Sequence, residues 1–189
     1  MKHRRSIRLK GYDYKQAGAY FVTVCTRGRE CLFGWVTDCE MRLNDIGRKV
    51  RSAWEELPTR FADMSLDAFI VMPNHIHILA EAAKKSCNLS KFISHFKQTT
   101  AYFYKQKTNE PLWQPRYYDH ILRNPKDTEP IAQYIWQNPI RKGLCQNPRD
   151  YQLSGSQTIN WKEHCSTPTD WSPPWKPFHR PIQNTPTTV

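Results

Sequence analysis

Two amphipathic stretches are separated by a pair of strand-like runs that have only Pro73-Asn74 between them. That spacing constrains the fold more than any other feature of the chain. In residues 44–57, Ile46, Val50, Ala53, Trp54 and Leu57 recur at helical spacing, Asn44 is placed to cap, and Pro58 is expected to end the helix. In residues 89–106, Leu89, Phe92, Ile93, Phe96, Thr100 and Phe103 form an apolar stripe, with Lys91, Lys97 and Lys105 off it. Residues 68–72 and 75–82 read as strands, joined by a turn because proline cannot enter a central ladder. Residues 19–25 are rich in β-branched and aromatic side chains and predict an earlier strand. Residues 113–123 predict a later one. A last helix is expected over residues 127–138, with Pro130 in its first turn and Pro139 ending it near Asn138. The order predicts an α+β domain: a ferredoxin-like β-α-β-β-α-β antiparallel sheet with an added C-terminal helix.

The 189 residues suffice for one domain. Residues 1–18 are expected to form a basic arm and residues 19–150 the domain. Residues 151–189 are expected to be a Pro- and Trp-rich tail, partly disordered, from which Trp161, Trp171 and Trp175 can dock back. The 28 Lys and Arg exceed the 17 Asp and Glu, giving a net charge of +11. That balance suits a polyanionic partner, with nucleic acid foremost. Six cysteines without a C-x-x-C pair, and no secretory signal, lead to an expectation of reduced thiols in the cytoplasm. No apolar run is long enough to span a bilayer, so no membrane partner is expected.

Chemistry enters with His75 and His77. Alternate strand residues face the same way, so two imidazoles stand side by side and can hold one metal ion. Tyr134 and Asn138 are four apart on the last predicted helix and share a face. Tyrosine can attack covalently, but a phenol needs activation, and a metal that polarises a target phosphate supplies part of it. The Asn138 amide oxygen can complete a three-ligand site with His75 and His77, and such mixed ligands suit Mg²⁺ or Mn²⁺ better than zinc. Tyr102, Tyr104, Tyr117 and Tyr118 compete as nucleophiles, but none sits one helical turn from a potential ligand. Each residue also has a plainer reading: the histidines as a structural or surface pair, Tyr134 as a helix aromatic, Asn138 as a helix terminator.

Residues 71–77, Val-Met-Pro-Asn-His-Ile-His, resemble the HUH motif of single-tyrosine transposases. Residues 112–123 and 134–144, together with residues 4–8 and 11–14, are similar to signatures of the REP-associated tyrosine transposases within that family. The resemblance covers residues 4–155. It implies that His75 and His77 bind the metal and that Asn138 falls at the third ligand, a place filled by glutamine in some relatives. It implies that Tyr134 attacks a single-stranded DNA phosphate, leaving a 5′-phosphotyrosine link and a free 3′-hydroxyl. His120 lies in a family signature, as a structural hydrogen bond or a DNA contact. Arg4, Arg5 and Arg8 are candidates to follow a hairpin backbone. Lys97, Arg116, Arg123, Arg141 and Lys142 are candidates to flank the cleaved strand, with Trp113 and Tyr118 stacking on unpaired bases.

The expected function is therefore a metal-dependent single-stranded DNA endonuclease and strand transferase acting near DNA hairpins, as monomer or homodimer. The alternatives are a domesticated, catalytically silent hairpin-DNA-binding protein and an RNA-binding ferredoxin-like module. The second would need an aromatic-rich central strand, and the histidines occupy such a strand instead.

Overall fold

The computed structural model describes residues 16–84, 88–166, 171, 173 and 174. Strand β1 (Gly18–Cys25) leads through a 3₁₀ turn into a hairpin of β2 (Gly34–Thr37) and β3 (Glu40–Leu43). Helix α1 (Asp45–Arg60), β4 (Met64–Met72), β5 (His75–Ala82), α2 (Leu89–Thr108) and β6 (Tyr118–Leu122) follow. Helices α3 (Thr128–Trp136) and α4 (Asn138–Arg141), the short strand β7 (Ser154–Gly155) and α5 (Trp161–His164) complete the order. The main sheet runs β6-β1-β5-β4-β7, antiparallel throughout. Its first four strands, with α1 and α2, are the expected ferredoxin-like arrangement.

Both amphipathic helices form because their apolar positions meet one face of this sheet. Trp54 of α1 packs on Phe69 of β4 at 5.2 Å and on Phe96 of α2 at 5.7 Å between ring centroids. Asn44 caps α1 through its side-chain oxygen on the Gly47 amide at 2.9 Å, and Asn88 does the same for α2 on Lys91. Proline 58 does not end α1. It sits inside the last turn, and the Phe61 amide reaches back to the Leu57 carbonyl at 2.9 Å, so the helix closes at Arg60.

Three strand and helix limits differ from the expectation. Strand β4 begins at Met64 rather than at residue 68, because a bulge between Leu66 and Ala68 restores register after the polar Ser65 and Asp67. Strand β6 starts only at Tyr118; Trp113 makes one isolated bridge to Thr26. The last helix divides at Gln137: Pro139 lies in the first turn of α4, where its missing N–H costs nothing. Tyr134 and Asn138 remain one turn apart across the division.

The C-terminal part of the chain adds an edge. Strand β7 pairs with β4, Tyr151 is fully buried and donates to the Val71 carbonyl at 2.9 Å, and the Trp136 indole donates to Gly155 at 3.1 Å. Trp161 packs on Trp136 at 5.9 Å. Residues 151–166, expected within the tail, are thus packed on the domain. Trp171 is exposed and Trp175 lies outside the described residues.

Candidate active site

Residues opposite each other in an antiparallel ladder share a face. His75 stands opposite Cys25 and Met72, and His77 opposite Thr23 and Ile70. This is the face turned away from α1 and α2. Helix α3 covers it, as the shared face of the four sequence candidates requires.

The two imidazoles are neighbours, with ring centroids 4.7 Å apart. Each is oriented by a local partner. Thr23 Oγ1 lies 2.8 Å from His77 Nδ1, and Asn74 Oδ1 lies 2.6 Å from His75 Nδ1. Asn74 is itself tied down, donating to the Arg29 carbonyl at 2.8 Å and accepting from Thr26 through its own carbonyl. With Nδ1 engaged, Nε2 is the coordinating nitrogen wherever either ring binds a metal. Phe21 stacks on His77 at 5.4 Å, which holds the ring flat against β1.

Tyr134 comes down onto this pair from α3. Its ring centroid is 5.8 Å from His77 and 6.2 Å from Phe21. The residue is 1% exposed. Burial pushes its phenol up to about 12, although the Arg141 guanidinium and then the Asn138 amide pull the other way. Arg141 lies over the ring face, 5.3 Å from the centroid. Asn138 is buried one turn below.

Two imidazoles and an amide oxygen from this cluster form a mixed N,O donor set suited to Mg²⁺ or Mn²⁺. The two histidines share a face and their far nitrogens are held by the fold, so these residues fit a divalent ion. Among the described residues, no group of three or more His, Cys, Asp or Glu side chains is placed to hold one. The amide would therefore have to be the third protein donor.

The other predicted residues scatter. Tyr118 is half-buried on the site face, opposite Thr23 on β6; His120 lies there too, opposite Phe21. Burial, and then Arg123, lower the His120 pKa, against the pull of Asp127. Arg116 and Arg123 are exposed, and Lys142 is half-buried. Lys97 is not a free cation. Its ammonium donates to the carbonyls of Gln114 at 2.8 Å and Arg116 at 3.3 Å, and burial lowers it to about 8. Trp113 is a correction: it is a core residue, packed on Phe33 and Phe96, with its indole donating to Thr100 at 2.9 Å, so it offers no stacking platform. Arg4, Arg5 and Arg8 lie outside the described residues. Of the competing tyrosines, Tyr102 is exposed and Tyr104 buried on α2, behind the sheet. Tyr117 is buried as well.

Thr23, Asn74 and Phe21 carry the histidine orientation and are not among the expected site residues. A polar threonine within an apolar strand, two positions from its aromatic neighbour, was the available hint.

The family model described as "Transposase IS200 like" matches residues 15–138, and the chain belongs to that family. It is 38% identical over 160 residues to an uncharacterized protein of Haemophilus influenzae, covering 73% of this chain and 89% of that one. It is 26% identical over 141 residues to the REP-associated tyrosine transposase of Escherichia coli K12, covering 75% and 78%. A solved REP-associated tyrosine transposase, bound to a REP hairpin, shares the fold with a TM-score of 0.66 at 21% identity, over 96% of this chain and 99% of that one.

Proposed function

We propose that this protein cleaves and rejoins single-stranded DNA beside a hairpin, using Tyr134 as the nucleophile. The observation that carries this reading is the 5.8 Å approach of the Tyr134 ring to His77, with Asn138 one turn away, inside a single chain. The phenol oxygen attacks phosphorus, the P–O bond to the 3′ oxygen breaks, and the DNA is left with a 5′-phosphotyrosine link and a 3′-hydroxyl. The phenol proton leaves and the 3′ oxygen gains one. Attack by that hydroxyl on the phosphotyrosine reverses the step, so joining needs no nucleotide cofactor. His75, His77 and Asn138 would hold a divalent cation, which when bound draws charge from the scissile phosphate. Thr23 and Asn74 engage the Nδ1 atoms and so would leave the Nε2 atoms to hold it. A net charge of +11 supports a DNA backbone as the partner.

One observation favours the rival reading of a silent hairpin-binding protein: Tyr134 is buried and its phenol is held well above the neutral range. The same experiment separates the two. Labelled hairpin-bearing single-stranded DNA is incubated with the protein and Mn²⁺ or Mg²⁺, then denatured. Wild type forms a covalent adduct and Tyr134→Phe forms none. An adduct in Tyr134→Phe would remove the nucleophile assignment. Retained hairpin affinity with no adduct under either metal would establish the silent binder.

A further inference from the structure

Helices α3 and α4 bring a third side chain to the tyrosine. Their division at Gln137 does not interrupt the helical ladder: the Gln137 amide donates to the Gln133 carbonyl at 2.9 Å, and the Arg141 amide to the Gln137 carbonyl at 3.1 Å. Tyr134, Asn138 and Arg141, four and three residues apart, therefore lie on one stripe. Long side chains on a helix lean toward its N-terminus. That of Arg141 leans back onto the tyrosine, with its guanidinium carbon over the ring, 5.3 Å from the centroid.

The guanidinium is held in this place. Its Nη2 donates to the Trp171 carbonyl at 2.7 Å and to Gln137 Oε1 at 3.3 Å, and Gln137 Nε2 is in turn fixed on the Ser166 carbonyl at 3.3 Å. Arg141 is half-buried, whereas the Tyr134 ring it covers is buried. The other cations expected along the cleaved strand are placed differently. Lys97 commits its ammonium to the Gln114 and Arg116 carbonyls, and Arg116 and Arg123 are exposed on the far side of β1.

A phosphate attacked by the Tyr134 oxygen would sit at the rim of this ring. Its non-bridging oxygens carry charge into a place with little water, where a prepositioned donor counts for most. His77 approaches the ring from the sheet and Arg141 from α4. We propose that Arg141 is a catalytic residue of the strand-transfer reaction, its guanidinium donating to a non-bridging oxygen of the phosphate that Tyr134 attacks. This role rests on the strand-transfer reading above. The bond that forms joins the Tyr134 oxygen to phosphorus and the bond that breaks joins phosphorus to the 3′ oxygen. Arg141 keeps its proton throughout and contributes hydrogen bonds and charge. Its planar fork matches a phosphate edge, which the point charge of an ammonium does not. The same contact serves the reverse step, when the phosphotyrosine is attacked.

The test uses the full chain, with Arg141→Gln and Arg141→Lys beside it. Single-turnover adduct formation is measured at saturating hairpin-bearing single-stranded DNA and Mn²⁺, and hairpin affinity is measured separately. Circular dichroism checks that both variants are folded. Arg141→Gln keeps side-chain length over the ring and loses the cation. It should slow adduct formation by about 100-fold or more, with hairpin affinity nearly unchanged. Arg141→Lys keeps a cation without the fork and should fall between Arg141→Gln and wild type. Arg141→Gln as fast as wild type overturns the proposal. So does a loss confined to hairpin affinity, which would make Arg141 an ordinary backbone contact. So does Arg141→Lys as slow as Arg141→Gln, which would leave the side chain a packing role. A wild type that forms no adduct removes the strand-transfer reading itself, whereas an adduct undiminished in Arg141→Gln removes only the role of Arg141.

Discussion

Two hydrogen bonds decide how the histidine rings turn, and each comes from a residue with no chemistry of its own. Thr23 fixes His77 and Asn74 fixes His75. Partners of this kind are typically worth about 10–100-fold in metal affinity when removed from ligating histidines. Thr23→Val keeps the shape of the side chain and deletes the hydroxyl. The Mn²⁺ concentration needed for half-maximal adduct formation should rise by about that factor, with hairpin binding in the absence of metal unchanged. An unchanged metal requirement would separate Thr23 from the site. Tyr134 makes a different claim, on stability. Its phenol is raised by burial from 10.0 to about 12, so the folded chain holds this proton more tightly than the unfolded chain. That contribution is complete below pH 10 and is lost as pH rises through about 12. Denaturant midpoints measured across this window should fall for wild type and fall less for Tyr134→Phe. The slope should not vanish, because burial also raises Tyr151.

At the scale of elements, α1 is held to the β2–β3 hairpin by the absence of a side chain. A Cβ on Gly47 would lie 2.0 Å from the Phe33 carbonyl oxygen and 2.6 Å from Leu43 Cδ2. Glycine inside a helix normally costs about 1 kcal/mol against alanine. Gly47→Ala should nonetheless lower the melting temperature, because α1 would have to move off the hairpin; a raised melting temperature would refute this packing. Much of the frame was legible because period and punctuation agreed. Strand β5 spans the run 75–82 expected for it, α2 begins at the expected Leu89, and α1 begins where Asn44 caps it. The histidine pair and the Tyr134–Asn138 spacing were legible for the same reason, since both are local periodicities. What escaped is non-local. The β2–β3 hairpin turns on Asp38-Cys39, which is no turn signal, and β7 consists of two residues whose strand character comes only from pairing with β4. Thr23 and His77 lie 54 positions apart, so their contact exists only once β1 and β5 are in register. Trp113 reads either as a stacking residue or as core, because a pattern of apolar and polar neighbours does not reveal that Phe33 and Phe96 close over it.

At the scale of the whole molecule, one chain brings the candidate residues of the proposed site together. The sheet provides His75 and His77, and the helix that covers them is their own α3, so Tyr134 need not come from a second copy. The C-terminal segment reinforces this placement. Gln133 donates to the His164 carbonyl at 2.7 Å, Gln137 to Ser166 at 3.3 Å and Arg141 to Trp171 at 2.7 Å, three residues one turn apart along α3 and α4. Segments 161–166 and 171 are thereby laid along the helices that carry the tyrosine and the asparagine, and those helices are clamped between sheet and chain end. A site built this way cannot be repaired by exchanging halves. Mixing Tyr134→Phe with His75→Ala, each inactive alone, should give no adduct on hairpin-bearing DNA at any ratio. Were the tyrosine contributed by a partner, an equal mixture that exchanges subunits would regain about a quarter of the wild-type sites, because about half of the dimers are mixed and one of the two sites in each pairs an intact tyrosine with an intact histidine pair. Recovered adduct would mean that α3 leaves its own sheet when DNA binds. Its absence, with both variants folded and binding the hairpin, fixes attack and metal binding within a single chain.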